Sequence, residues 1–129
     1  MLKKILLIIS LLLAILFSVY LYLYKEHRDI KSESPDFVVT ISGLEKEFTS
    51  NDSLSSVKYQ DKTIELTAQV TDIDTIGNGI VLGEKVFATF KKNVPAEIKS
   101  GKILKIKGRF LGYDELLQEF KIDQSSIVY

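Results

Sequence analysis

No cysteine occurs anywhere in the 129 residues. That absence excludes a disulfide scaffold, a zinc ribbon, a thiol nucleophile and a lipid-modified N-terminal cysteine. It leaves the compartment open, because a cysteine-free domain folds equally well in reducing and oxidising surroundings. Histidine is nearly as scarce. The single imidazole, His27, stands among charges just after a long hydrophobic run and reads as a solvated interfacial residue. With no second histidine to partner it, neither a metal site nor an imidazole-based catalytic pair is expected. An excess of one charge is missing as well, since 17 basic residues balance 17 acidic ones. Lys3 and Lys4 are the only charges in residues 1–24, so the remainder has 15 basic against 17 acidic residues, a net charge of −2. Such a balance lacks the bulk positive charge of a nucleic-acid binder. Catalytic signatures are absent too: there is no G-x-S-x-G, no H-E-x-x-H and no P-loop, and Ser125-Ser126 has no histidine to activate it. The expectation is a protein that is not an enzyme and needs no cofactor or metal.

What the chain does have is one long apolar run. From Ile5 to Tyr24 there is no charge, and the polar side chains are Ser10, Ser18 and three tyrosines. At about 1.5 Å per residue these 20 residues span roughly 30 Å, the thickness of a bilayer core. Tyr20, Tyr22 and Tyr24 gather at one end, where amphipathic rings favour the membrane–water boundary. A cleaved signal peptide would have a shorter apolar region and a small-x-small cleavage site. Here the run closes on Tyr20-Leu21-Tyr22-Leu23-Tyr24, so residues 1–24 are expected to be an uncleaved signal-anchor with residues 5–24 in the lipid bilayer. Positive charge does not orient it, because Lys3 and Lys4 face Lys25, Arg28 and Lys31 across the run. The Lys-Lys start leading straight into the run resembles an export signal, which places the soluble domain outside the cytoplasm.

Residues 25–39 are charged, polar and interrupted by Pro35, and read as a tether that lifts the domain off the headgroups. The domain itself is assigned to residues 40–129. Ser42-Gly43-Leu44-Glu45 fits a capping box opening a helix with Ile41, Leu44 and Phe48 on its apolar face. Thr49-Ser50-Asn51-Asp52 interrupts it and restarts a second helix, with Leu54 and Val57 as its apolar positions. Strands then take over. In Thr63–Asp72 the even positions Ile64, Leu66, Ala68 and Val70 are apolar and the odd positions polar, the period-two pattern of a half-buried strand. Gly77-Asn78-Gly79 is a turn signal that readily supplies two positive-φ residues. Ile80–Leu82 and Val86–Phe90 read as short strands joined through Gly83-Glu84, and Asn93–Ile98 as a short helix opened by Asn93 and Pro95. In Ile103–Phe110, Leu104, Ile106 and Phe110 alternate with Lys105, Lys107 and Arg109; a last strand follows near Phe120–Val128. No internal repeat or low-complexity tract is evident. Three strands, a short helix and two more strands is the element order of the OB-fold, a five-stranded, partly open Greek-key barrel. The fold class expected is therefore mainly β: an OB-fold barrel preceded by a short helical segment and one transmembrane helix.

A resemblance supports this order. Lys58-Tyr59, Lys62-Thr63-Ile64-Glu65-Leu66, Val86-Phe87-Ala88-Thr89-Phe90 and Ile106-Lys107-Gly108-Arg109-Phe110-Leu111-Gly112-Tyr113 together resemble the tRNA-anticodon-binding-like OB-fold family. Its members are small bacterial proteins, often led by a membrane anchor or lipoprotein signal. The resemblance covers roughly residues 37–128, and Lys-Gly-x-x-x-Gly-Tyr is its most specific motif. It implies cysteines where this chain has Ala88, Phe110 and Ser125, so any role of those cysteines is absent here. The family name records a likeness of fold to anticodon-binding domains, and fold analogy does not by itself establish tRNA binding.

The stripe Lys105, Lys107 and Arg109 is the sharpest candidate ligand face. Three cations on one strand face could track phosphates, with Phe87 and Tyr113 as stacking surfaces. The competing reading is a solvated outer face on which Glu65 pairs across strands with Lys105 or Lys107. Phe87 is ambiguous, since either Phe87 or the Val86/Ala88/Phe90 set could turn inward, and the latter buries more apolar surface. Gly108 and Gly112 are expected to permit the bend of a coiled barrel strand. The function expected is a membrane-anchored, non-catalytic OB-fold module binding an envelope protein or oligosaccharide; the alternative is a nucleic-acid-binding domain facing the cytoplasm.

Overall fold

The computed structural model describes residues 1–24 and 28–129. The apolar run forms α1 (Leu2–Leu23), 22 residues with none buried against the rest of the protein, and an 18-residue stretch of it has mean hydropathy 2.7. By length and composition it is able to cross a membrane. Within the helix the Ser18 hydroxyl donates to the Ala14 carbonyl at 2.9 Å, and the Tyr20 and Tyr24 rings lie 4.6 Å apart at the C-terminal end. His27, together with the charged residues Lys25 and Glu26, lies outside the described residues.

The stretch expected to be a tether is docked from residue 28 onward. β1 (Phe37–Val39) pairs in parallel with β2 (Thr63–Asp74), from Phe37↔Ile64 to Val39↔Leu66, and Ile30 is almost fully buried. The cause is a polar clasp that the composition conceals. Arg28 grips Glu33 through two hydrogen bonds of 2.6 and 2.8 Å and donates to the Asp61 carbonyl and to the Thr63 hydroxyl. Thr63 in turn donates its hydroxyl to Glu33 at 2.7 Å and its backbone N–H to Asp36 at 2.9 Å.

Two helices follow, α2 (Ile41–Ser50) and α3 (Asp52–Tyr59). The cap of α2 is Thr40, whose hydroxyl accepts from the Gly43 N–H at 3.0 Å, and not Ser42, which lies one residue inside the helix. Starting there turns Leu44 and Phe48 into the core. Asn51 caps α3, accepting from the Leu54 N–H. The inward face of α3 carries Ser55 and Tyr59, so Leu54 and Val57 are exposed, contrary to the periodicity reading. The Tyr59 hydroxyl donates to Glu47 at 2.8 Å, which fixes α3 by its last residue, one the two-apolar pattern did not include.

The barrel is closed by β2, β3 (Gly79–Leu82), β4 (Val86–Thr89), β5 (Ile103–Asp114) and β6 (Glu119–Ile127). Pairing runs β2–β3–β4–β6–β5, and β5 returns to β2 over Gln69↔Ile103 to Thr63↔Arg109. This is the expected five-stranded OB order. Alternation holds along the first half of β2, where Ile64, Leu66 and Val70 are buried. A bulge at Thr71 then shifts the inward parity, so that Ile73 packs on the core. Phe110 and Phe120, with ring centroids 6.2 Å apart, join Phe48 and Tyr59 in an aromatic cluster beneath the helices. The helix expected over Asn93–Ile98 does not form. A single turn there is closed by the Ile98 N–H donating to the Pro95 carbonyl; Ile98 enters the core and Val94 packs against it. Pro95 disfavours helical geometry at Val94, and the few residues left before Gly101 are too short to repay helix nucleation.

The expected turn also differs in detail. Of Gly77-Asn78-Gly79 only Asn78 has positive φ (52°), while the paired positive-φ residues are Gly83 and Glu84 between β3 and β4. The β2–β3 loop is organised by Asp74, whose carboxylate accepts from the N–H groups of Ile76 and Gly77. The β5–β6 loop repeats this design: Asp114 accepts from Leu116 and Leu117, and Gln118 has φ 51°. Both loops thus turn an apolar residue outward, and Ile76 and Leu116 are each 96% exposed.

Candidate functional site

The cations of the stripe are all engaged within the protein. Lys105 pairs with Glu65 at 3.8 Å. Lys107 donates to the carbonyls of Lys31 and Glu33 at 2.8 and 2.7 Å, pinning the clasp against β5. Arg109 forms a two-pronged pair with Asp123, with distances of 2.9 and 2.6 Å. That pair raises the guanidinium pKa above its ordinary value, the Asp123 hydrogen bond being the main cause. A forked arginine–carboxylate pair of this kind is stronger and better defined than a single lysine contact. The surface therefore presents two ion pairs and one lysine held by backbone carbonyls where three phosphate-binding charges were envisaged.

Phe87 and Tyr113 are not brought together. Phe87 is the Cα partner of Lys121, while Tyr113 is the partner of Phe120 one position away, and successive residues of a strand face opposite sides. Tyr113 lies against the helices, with its ring 4.9 Å from Phe120 and 6.2 Å from Phe48. Phe87 points outward, because Val86 and Ala88 are the fully buried residues of β4. Its ring lies over Gly79 on the neighbouring strand: a Cβ there would come within 2.6 Å of the Phe87 ring. Glycine at 79 is what lets the aromatic lie flat on the sheet.

The outer face of β3 and β4 thus carries half-buried Phe87 beside Val81, with Lys121 next to it on β6. Lys121 pairs with Asp114 at 3.4 Å. The β2–β3 loop stands at the Gly79/Thr89 end of this face, and the β5–β6 loop at the Val86/Phe120 end. In OB-folds this face and these two loops take oligonucleotides and oligosaccharides. Here the loops offer Ile76 at one end and Leu116 and Leu117 at the other, flanked by Asp74, Asp114 and Glu115. Asp114 is held ionised by the hydrogen bonds from the Leu117 and Leu116 N–H groups, which lower its pKa. Sequence periodicity missed the two tips because loop residues have no period. In the first loop the signal was an aspartate four residues before an asparagine that tolerates left-handed geometry, Asp74-Thr75-Ile76-Gly77-Asn78; in Asp114-Glu115-Leu116-Leu117-Gln118 only the aspartate was legible, since glutamine does not favour that geometry. Among the described residues no group of three His, Cys, Asp or Glu side chains is placed to hold a metal ion.

Comparison with known proteins agrees with this architecture. No curated protein sequence matches the chain. Among solved structures, the chain is similar to a protein from Klebsiella pneumoniae subsp. pneumoniae described as a nucleic acid-binding lipoprotein. The TM-score is 0.52 at 12% identity, over 71% of this chain and 91% of that one. At that identity the likeness is one of fold. The family model for tRNA_anti-like proteins matches residues 1–122, apolar helix included, and the chain belongs to the tRNA_anti-like family.

Proposed function

We propose that the chain is a membrane-tethered, non-catalytic binding module, anchored by α1, whose β3–β4 face holds an envelope protein or an oligosaccharide outside the cytoplasm. The observation that carries this reading is the contrast between two surfaces. The cations of β5 are bound to internal partners, whereas the β3–β4 face leaves Phe87 half-buried, with part of its ring open between two loops with apolar tips. Nucleic-acid affinity rests on free cations whose counterions are released on binding. An aromatic ring flanked by apolar tips and carboxylates instead suits a sugar ring or an apolar, basic protein segment. An alkaline-phosphatase fusion at Tyr129 tests the placement. Active phosphatase supports it, and an inactive but expressed fusion overturns it.

One observation favours a second reading, a nucleic-acid-binding domain facing the cytoplasm: the similar Klebsiella protein is described as binding nucleic acid. On that reading the purified chain binds single-stranded oligonucleotides with an affinity that falls steeply as salt rises. Failure to bind at low salt ends it.

A further inference from the structure

A wide concavity lies away from the β3–β4 face, where the barrel comes apart. β4 and β6 run parallel through three registered pairs, Val86↔Phe120 to Ala88↔Ile122, and then separate. β4 leaves into the connection 90–97, while β6 continues along β5 to Lys107↔Ser126 and Ile106↔Ile127. Between them opens a cleft of about 460 Å³. Lys91, Lys92 and Asn93 line one wall, Gln124 and Ser126 the other, and Lys31 of the clasp reaches the same cleft. Its acids are Asp29 and Glu97, and Glu97 already accepts the Tyr129 hydroxyl. Among the described residues Lys31, Lys91 and Lys92 make no ion pair.

Gln124 is unusual twice over. It belongs to a bulge on β6 opposite Gly108 and has φ 49°, a left-handed conformation that costs a non-glycine residue free energy. Its side-chain Oε1 is shielded from solvent and has no hydrogen-bond partner among protein atoms. Bulges re-aim side chains beside binding sites, and an orphaned acceptor beside a cleft is satisfied by a ligand's hydroxyl donor once the amide turns outward.

We propose that this cleft binds a glycerol-phosphate-like group, a phosphate ester carrying a free hydroxyl. The three lysines hold the phosphate, and the Gln124 amide accepts from the hydroxyl. Two sources supply this chemistry. One is a soluble glycerol phosphate. The other is an anionic lipid headgroup, which rests on the reading of α1 as a membrane anchor: Arg28 follows Tyr24 by four residues, so the clasp bearing Lys31 starts at most about 15 Å along the chain from the helix end.

The test uses the full chain, ¹⁵N-labelled, in phosphatidylcholine nanodiscs titrated with sn-glycerol 3-phosphate at constant ionic strength. The expected result is saturable shifts of the Lys91, Lys92, Gln124 and Ser126 amides with those of Val81 and Phe87 unmoved. K91E/K92E should weaken binding about tenfold. K46E, on α2, should leave it unchanged, and Gln124→Leu should remove the preference for glycerol 3-phosphate over inorganic phosphate. Replacing half the lipid by phosphatidylglycerol separates the sources. The same amides displaced before any titrant is added identifies the headgroup, and displacement by the soluble ester alone identifies the free ligand. If neither probe moves these amides, or if K91E/K92E responds as the parent chain does, the proposal falls. The soluble arm is independent of the anchor, so failure of the membrane reading alone leaves it intact.

Discussion

Phe110 is a residue whose role was legible from its position in an alternating strand. Fully buried and in ring contact with Phe48, Tyr59 and Phe120, it anchors the aromatic cluster. Phe110→Ala is expected to cost about 3–5 kcal/mol in chemical denaturation. Arg109, the residue before it, was legible as a cation but not as half of a pair. Its partner Asp123 lies on another strand behind a bulge, and a register shift of one residue cannot be read from composition. Arg109→Ala should cost only about 1 kcal/mol, since both groups remain partly in water. Glu33 is the residue the sequence hid most completely. It read as one charge in a polar tether, yet the Arg28 hydrogen bond first, and that of Thr63 second, lower its carboxyl from 4.5 to about 2. Because the pKa is depressed in the folded protein, the clasp's contribution is complete above pH 4.5 and is lost as pH falls toward 2. Amide exchange at residues 30–39 should accelerate over that window. Glu33→Gln should exchange fast at every pH, and an unchanged pH profile in that variant would refute the assignment.

At the level of elements, strand order and the two helices were readable because period-two and helical spacing survive wherever one face is buried. Boundaries and local devices were less so. The cap at Thr40 lay two residues before the best-looking box, since capping depends on backbone geometry that a four-residue pattern cannot encode. Thr40→Ala should cost about 1 kcal/mol by thermal melting, whereas Ser42→Ala should be nearly silent. The expected 93–98 helix failed because propensity signals at its start had too little chain behind them. The two aspartate-organised loops make a sharper test. Asp74→Ala or Asp114→Ala strips the acceptor from two backbone N–H groups and should lower the melting temperature in each case. Ile76→Ser and Leu116→Ser, fully exposed, should leave stability within about 0.5 kcal/mol. If the tips rim the ligand face as proposed, the same changes weaken capture of the partner, read by cross-linking from position 87 in intact membranes.

For the molecule as a whole, the division into an apolar helix and a β-barrel was plain from the sequence, while the attachment between them was not. The docked clasp changes how far the domain can wander. With residues 28–39 held to the barrel, little chain remains between α1 and the fold, so an anchored domain would stay in a thin layer beside the bilayer. Its search would then be nearly two-dimensional. A partner fixed in the same membrane would meet the β3–β4 face at an effective concentration on the order of millimolar. A partner dissolved in the bulk would gain no such advantage. A shallow face with one aromatic ring can therefore serve with modest intrinsic affinity, provided that what it captures shares its membrane.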